Sequence, residues 1–241
     1  MNTTTTDTAA SATPGARWGL AQRRLYLCTP DRPDLEAFLV DCISGGVDVV
    51  QLRDKHLDDA TTVARARLAQ RVCADHGVPF VLNDRPDLAL ESGADGVHVG
   101  QDDIDPVAAR ALLGPDALLG LSTHQPPELA VAIGHGVPST SPAPVDYVSA
   151  GPVVPTPTKP GRPGTGLGYV THAVTQSPWP VWVTGGASPD SVGALVTAGA
   201  RHVVVVRWIT ESSNPGAAAR ALRQAIDTAL EEVDRRDVTG D

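Results

Sequence analysis

Apolar residues come in two alternating rhythms along this chain. Short, nearly continuous apolar runs recur at Arg24-Leu25-Tyr26-Leu27-Cys28, Val47-Asp48-Val49-Val50-Gln51-Leu52, Pro79-Phe80-Val81-Leu82 and Gly96-Val97-His98-Val99. They continue at Ala117 to Leu121, Val145 to Ala150, Trp179-Pro180-Val181-Trp182-Val183 and Val203-Val204-Val205-Val206. Runs of this kind read as strands buried on both faces. Between them lie segments with apolar residues on one side only, which read as helices. These run from Asp31 to about Ser44, Asp58 to His76, Asp84 onward, Asp105 to Leu113, about Pro127 to Ile133, 168 to 176, Pro189 to Ala198 and Pro215 to about Val233.

Local signals sharpen the boundaries. The pentapeptide Asp-Arg-Pro-Asp-Leu occurs twice, at Asp31–Leu35 and Asp84–Leu88, and predicts a helix start with aspartate as N-cap and proline in the first turn. Gly46-Val47-Asp48, Gly93-Ala94-Asp95 and Gly199-Ala200-Arg201 each predict a helix ending on glycine and turning directly into a strand. Regular alternation of strand and helix predicts an all-parallel sheet, and the length suits a single-domain (β/α)8 TIM barrel of roughly 220–250 residues. An open doubly wound sheet competes, but no Gly-x-Gly-x-x-Gly follows the first strand. Domain limits are expected at 1–20 for a Thr/Ala-rich disordered tail, 21–235 for the barrel and 236–241 for a second tail. The Pro/Ser-rich run Val137–Pro144 is expected to be a solvated insertion on the face opposite the site.

Composition narrows the function. Hydrophobic residues make up 41% and aromatics 4%, so a full and largely aliphatic core is expected. A net charge of -9 disfavours nucleic acid or an anionic membrane as partner. Three widely spaced cysteines (Cys28, Cys42, Cys73) suggest reduced thiols in a cytoplasmic protein. No apolar run approaches membrane-spanning length, and residues 1–17 carry no stretch like a signal peptide. A homo-oligomer is left open.

The least periodic stretch is Gly151 to Gly168, rich in proline, glycine and threonine, with Lys159 and Arg162 as its cations. Directly behind a strand, it reads as a long loop whose hydroxyls, lysine and backbone N–H groups suit a phosphate-bearing ligand. In a barrel the chemistry belongs at the C-terminal strand ends. Those ends carry Gln51-Leu52-Arg53-Asp54-Lys55, Asn83-Asp84, Gly100-Gln101-Asp102-Asp103, Ser122-Thr123-His124, Gly185-Gly186 and Arg207. Arg53, Lys55 and Lys159 facing two or three carboxylates suggest a diphosphate held partly through a divalent cation, with magnesium the suitable ion. Structural readings compete: Arg53 and Lys55 as solvated charges, Asp84 or Asp102-Asp103 as helix starts. His98 reads as a satisfied core histidine, and His124 is open between catalysis and packing.

With these motifs in order over about residues 23–232, the chain resembles the thiamine-phosphate synthase family. Gln51–Lys55, Asn83-Asp84-Arg85, Gly93–Asp103, Gly120-Leu121-Ser122, Gly151-Pro152, Pro155–Gly161 and Gly185-Gly186 carry the resemblance. It implies a magnesium-dependent transferase joining hydroxymethylpyrimidine diphosphate to hydroxyethylthiazole phosphate with release of pyrophosphate. It further implies that Arg53, Lys55, Asn83, Ser122 and Lys159 hold the pyrimidine diphosphate, with Gln51 near the pyrimidine. Of these, Arg53, Ser122 and Lys159 would be catalytic. Asp84 and Asp103 would hold Mg2+, and Thr156, Thr158, Gly186 and the Val206-Arg207 turn would hold the thiazole phosphate. Arg207 departs from the small hydroxyl residue of many relatives, so its guanidinium either meets the phosphate or pairs with Glu211. A thiazole tautomerase working through His124 and a non-catalytic thiamine-phosphate sensor are the rival readings.

Overall fold

In the computed structural model the described residues are 18–134, 144–157, 161 and 163–239. Within them, strands β1 (Leu25–Thr29), β2 (Val49–Leu52), β3 (Phe80–Asn83), β4 (Gly96–Val99), β5 (Leu118–Thr123), β6 (Tyr147–Ala150), β7 (Val181–Thr184) and β8 (His202–Val205) follow in order. All pair in parallel, and β8 returns to β1, so the sheet closes as a barrel. Helices α1 (Leu35–Ser44), α2 (Asp59–Asp75), α3 (Pro86–Ser92), α4 (Pro106–Leu113), α5 (Pro126–Ala132), α6 (Gly166–Gln176) and α7 (Val192–Thr197) join successive strands. After β8 come a short α8 (Arg207–Thr210) and a long α9 (Pro215–Thr239). The (β/α)8 TIM barrel expected from the sequence is the fold observed.

Successive strand residues face opposite sides of a sheet, and here the two sides differ in chemistry. Leu25, Leu27, Val50, Leu52, Phe80 and Leu82 face outward into an aliphatic layer completed by helix residues such as Phe38, Leu39, Ala66, Leu222 and Ile226. The inward set is different. Tyr26, Val49, Val81, Leu118, Tyr147 and Trp182 fill the lower barrel with Leu20, and Trp18 and Val204 pack against them. The aromatic content is low, yet much of it is spent here: Trp182 meets the Tyr26 ring edge-on at 5.2 Å between centroids. Room for Tyr147 comes from Gly120, where a Cβ would lie 2.1 Å from the Tyr147 ring and 2.5 Å from His98 Nδ1. Higher in the barrel the inward positions turn polar, as Gln51, Asn83, His98, Ser122, Ser149 and Thr184, and that change of chemistry creates the site.

The opposite end is closed by aspartates. Asp48 accepts from the Arg24 and Leu25 N–H groups at 2.8 and 2.9 Å, Asp95 from Phe80 N–H at 2.8 Å and Asp146 from Leu119 N–H at 2.8 Å. Each stands just before one strand and satisfies the start of its neighbour, as buried backbone donors require.

Several boundaries depart from expectation. Of the expected 1–20 tail only 18–20 fall among the described residues, and they are ordered: Leu20 is buried under the barrel and opens a 3-10 turn, Leu20–Gln22. The expected 236–241 tail is helical to Thr239, since the Ala-, Glu- and Arg-rich stretch favours helix beyond its last core residue. Strand β7 starts at Val181, not Trp179, because Pro180 lacks the N–H a strand needs. Most of the expected 137–144 insertion lies outside the described residues.

The repeated pentapeptide also works differently. Neither Asp31 nor Asp84 caps a helix: Asp34 and Arg85 hold the N-cap positions. What repeats is an ion pair across the proline, Arg32 with Asp34 and Arg85 with Asp87. Asp84 is thereby released for other work.

Candidate active site

The C-terminal mouth of the barrel opens into a cavity of about 530 Å³. Gln51, Arg53, Lys55, Asn83, Asp84, Asp103, Ser122, Thr156, Gly186, Val206 and Arg207 all line it. They arrive from seven strand ends, those of β2 to β8. Thr158 and Lys159, the two remaining candidates, lie outside the described residues.

The strand-six loop is tied at its base. Thr165 N–H donates to Pro152 O at 2.8 Å and Gly166 N–H to Val153 O at 3.1 Å, while Val153 N–H donates to Thr184 O at 2.8 Å. Gly185 permits that last approach: its φ is +104°, and a Cβ there would lie 2.5 Å from Val153 N. The loop therefore stands against the Gly185-Gly186 turn, which Ser191 Oγ braces through Gly186 O at 2.7 Å.

On the other side of the mouth are the charges. Among the described residues no carboxylate pairs with Arg53, whereas Lys55 Nζ lies 2.9 Å from Asp84 Oδ2. The Asp84 and Asp103 carboxylates lie close enough that each shifts the other's ionisation. Burial, with the Asp103 carboxylate beside it, pushes Asp84 above the usual carboxylate range in spite of Lys55. Burial also works against ionisation of Asp103, but the neighbouring Asp84 and the bond from the Gly100 N–H, with the Lys55 charge, hold it below that range. Two carboxylates in contact need a shared proton or a cation between them. Among the described residues no group of three or more His, Cys, Asp or Glu could cage a metal. Two hard oxygen donors beside an anion pocket fit magnesium, which keeps waters and binds substrate phosphate.

Under the cavity lies a buried polar chain that periodicity alone did not single out. Cys28 Sγ donates to Gln51 Oε1 at 3.0 Å, and Gln51 Nε2 donates to Tyr26 OH at 2.9 Å. Tyr26 and Tyr147 hydroxyls are 3.1 Å apart, Tyr147 OH is 3.2 Å from His98 Nδ1, and His98 Nε2 is 2.9 Å from Ser122 Oγ. Burial first, and each other's proximity next, push Tyr26 well above its ordinary pKa, so it stays a neutral hydroxyl. His98 is satisfied as expected, yet it lines the cavity floor. Counting every second residue back from Gln51, Ser122 and their partners on each strand was the available signal for Tyr26, Tyr147 and Ser149.

Two further residues singled out from the sequence also face the cavity. His124 lines the cavity with its Nδ1 2.8 Å from Glu128 Oε2, and the same carboxylate oxygen accepts the His124 backbone N–H. Arg207 opens α8 instead of ending β8, and its Nε lies 2.7 Å from Glu211 Oε1, both side chains half exposed. The guanidinium thus lines the cavity mouth while paired with Glu211.

A family profile described as thiamine monophosphate synthase matches residues 25–209. The chain belongs to this family. A thiamine-phosphate synthase of Thermus thermophilus is 44% identical over 211 residues, covering 84% of this chain and 97% of the relative. One from a Synechocystis species is 42% identical over 203 residues; the match spans 84% of this chain but 57% of that longer protein. The solved structure of a Pyrococcus furiosus thiamine phosphate pyrophosphorylase superposes with a TM-score of 0.75 at 24% identity, over 86% of this chain and 96% of that one. The family's motifs thus occupy one face of this barrel, with the two-carboxylate corner on one side and the glycine turn on the other.

Proposed function

We infer that this protein is a thiamine-phosphate synthase, a transferase joining hydroxymethylpyrimidine diphosphate to hydroxyethylthiazole phosphate with release of pyrophosphate. The observation that carries this reading is convergence: eleven residues from seven strand ends line one cavity. The family membership supplies the reaction.

The arrangement suggests how the chain would perform it. Arg53 and Lys55 stand where a diphosphate would be held, with Asn83 and Ser122 as neutral donors nearby. Gln51, oriented by Cys28 and Tyr26, would meet the aminopyrimidine at the floor. Thr156 and the Gly186 turn would receive the thiazole phosphate across the mouth. Asp84 and Asp103 would hold magnesium, which supplies charge neutralisation to the departing diphosphate. Breaking the carbon–oxygen bond puts positive character on the pyrimidine methylene, and the thiazole nitrogen closes on it. A tertiary ring nitrogen needs no base, so the chain's task is alignment and leaving-group stabilisation. No helix among the described residues is long and apolar enough to cross a membrane, and all three cysteines are buried thiols outside any disulfide. A cytoplasmic setting is proposed on the thiols.

The test is incubation with both substrates, with and without magnesium, followed by mass detection of thiamine phosphate. Binding of thiamine phosphate without product formation would favour the sensor reading. Isomerisation of the thiazole alone would favour a tautomerase.

A further inference from the structure

Among the described residues Asp84 is the single non-glycine residue at positive φ, +62°. L-residues avoid this region, and such a backbone persists where its surroundings dictate it. Two backbone bonds hold it: Asp84 N–H to His98 O and Arg85 N–H to Asn83 O, each 2.8 Å, the second closing a three-residue γ-turn around Asp84.

The next residue is clasped on the outer side of the same turn. Arg85 Nη1 and Nη2 donate to the two Asp59 carboxylate oxygens at 2.8 and 2.9 Å. Its Nε and Nη2 donate to the two Asp87 oxygens at 2.9 and 2.7 Å. Asp59 begins α2 and Asp87 lies in the first turn of α3. The guanidinium therefore joins the loop carrying Arg53 and Lys55 to the turn carrying Asp84. A second link, Lys55 to Asp84 at 2.9 Å, joins the same two segments inside the cavity.

On the proposed reading of the site, Lys55 turning to the diphosphate and Asp84 to the cation would open their mutual pair. The outer clasp has no part in the ligand and stays closed. We propose that Arg85 is a positioning residue: through Asp59 and Asp87 it keeps Asp84 and the Lys55 loop aimed at the pyrimidine diphosphate and its metal once the Lys55–Asp84 pair has opened. This rests on the reading of Asp84 as a metal ligand.

The clasp is largely exposed, with side-chain accessibilities of 43% for Arg85, 66% for Asp59 and 53% for Asp87, so its loss should leave the melting temperature almost unchanged. Arg85→Ala is expected to raise the magnesium concentration for half-maximal rate and KM for the pyrimidine diphosphate about tenfold or more, as losing an outer support of a ligand does. KM for the thiazole phosphate, bound across the mouth, should move less than twofold. Arg85→Lys should recover part of the loss, because an ammonium cannot hold both carboxylates bidentately. Asp59→Asn should reproduce the effect in smaller measure. An Arg85→Ala enzyme with unchanged magnesium response and unchanged pyrimidine diphosphate KM overturns the proposal, as does an equal rise in both KM values with a lowered melting temperature. If the unaltered protein works at full rate in excess chelator, the metal reading fails by itself; a selective rise in pyrimidine diphosphate KM would then still support the clasp through Lys55.

Discussion

His202 should make this protein lose stability in mild acid. It opens β8 at the closed end of the barrel, 7% exposed, with its Nδ1 2.6 Å from Arg23 O and its ring 5.0 Å from Trp182. A carbonyl only accepts, so Nδ1 carries a proton. Burial, reinforced by the Arg24 and Arg201 charges and opposed by the Arg23 carbonyl, lowers its pKa to about 4. The unfolded chain's histidine titrates near pH 6.5. Above that value both states are neutral and the contribution to stability is fully present. Between pH 6.5 and pH 4 only the unfolded state takes up the proton, so stability falls. The expected loss is about 2 kcal/mol between pH 7 and pH 5, approaching a ceiling of about 3 kcal/mol below pH 4. For a chain of this size that corresponds to about 4–8 °C in Tm over the first interval. His202→Gln retains a donor for Arg23 O without a titrating ring. Urea midpoints measured at pH 7, 6 and 5 for both proteins should diverge on this scale, the variant declining less steeply. Parallel pH profiles would refute the reasoning and place the acid sensitivity elsewhere.

Three further outcomes concern the site. Asp103→Ala should abolish turnover while leaving the fold intact, because the residue caps Gly100 N–H at the rim and touches no core, and excess chelator should do the same to the unaltered enzyme; full activity in either case removes the metal from the reaction. Lys159→Ala should lower kcat about a hundredfold, the usual consequence of deleting one preorganised charge contact, with KM for thiazole phosphate less affected; an unchanged kcat would limit its loop to gating. Arg207→Ser should leave KM for thiazole phosphate within about twofold, because the guanidinium is engaged by Glu211; a tenfold rise would mean that the ligand draws it away.

What the chain determines by itself is the alternation of elements and the ends at which chemistry accumulates. Aliphatic runs such as Val47–Leu52 and one-sided segments such as Asp58–His76 need only local periodicity to be recognised. The polar strand ends Arg53, Lys55, Asp84, Asp103 and Ser122 follow from the rule that barrels work at one face. Local pattern cannot say which side of a strand is inside, and the barrel's closure decided that. It brought Tyr26, Tyr147 and His98, far apart in sequence, into one chain of hydrogen bonds beneath Gln51 and Ser122. Asp84 looked like a helix cap until Arg85 took the N-cap position and a γ-turn swung the carboxylate toward Lys55 and Asp103. Arg207 sat at an apparent strand end until α8 placed Glu211 one turn away. In each case the missing information was a partner distant in sequence or a backbone angle, and only the packed tertiary structure supplies those.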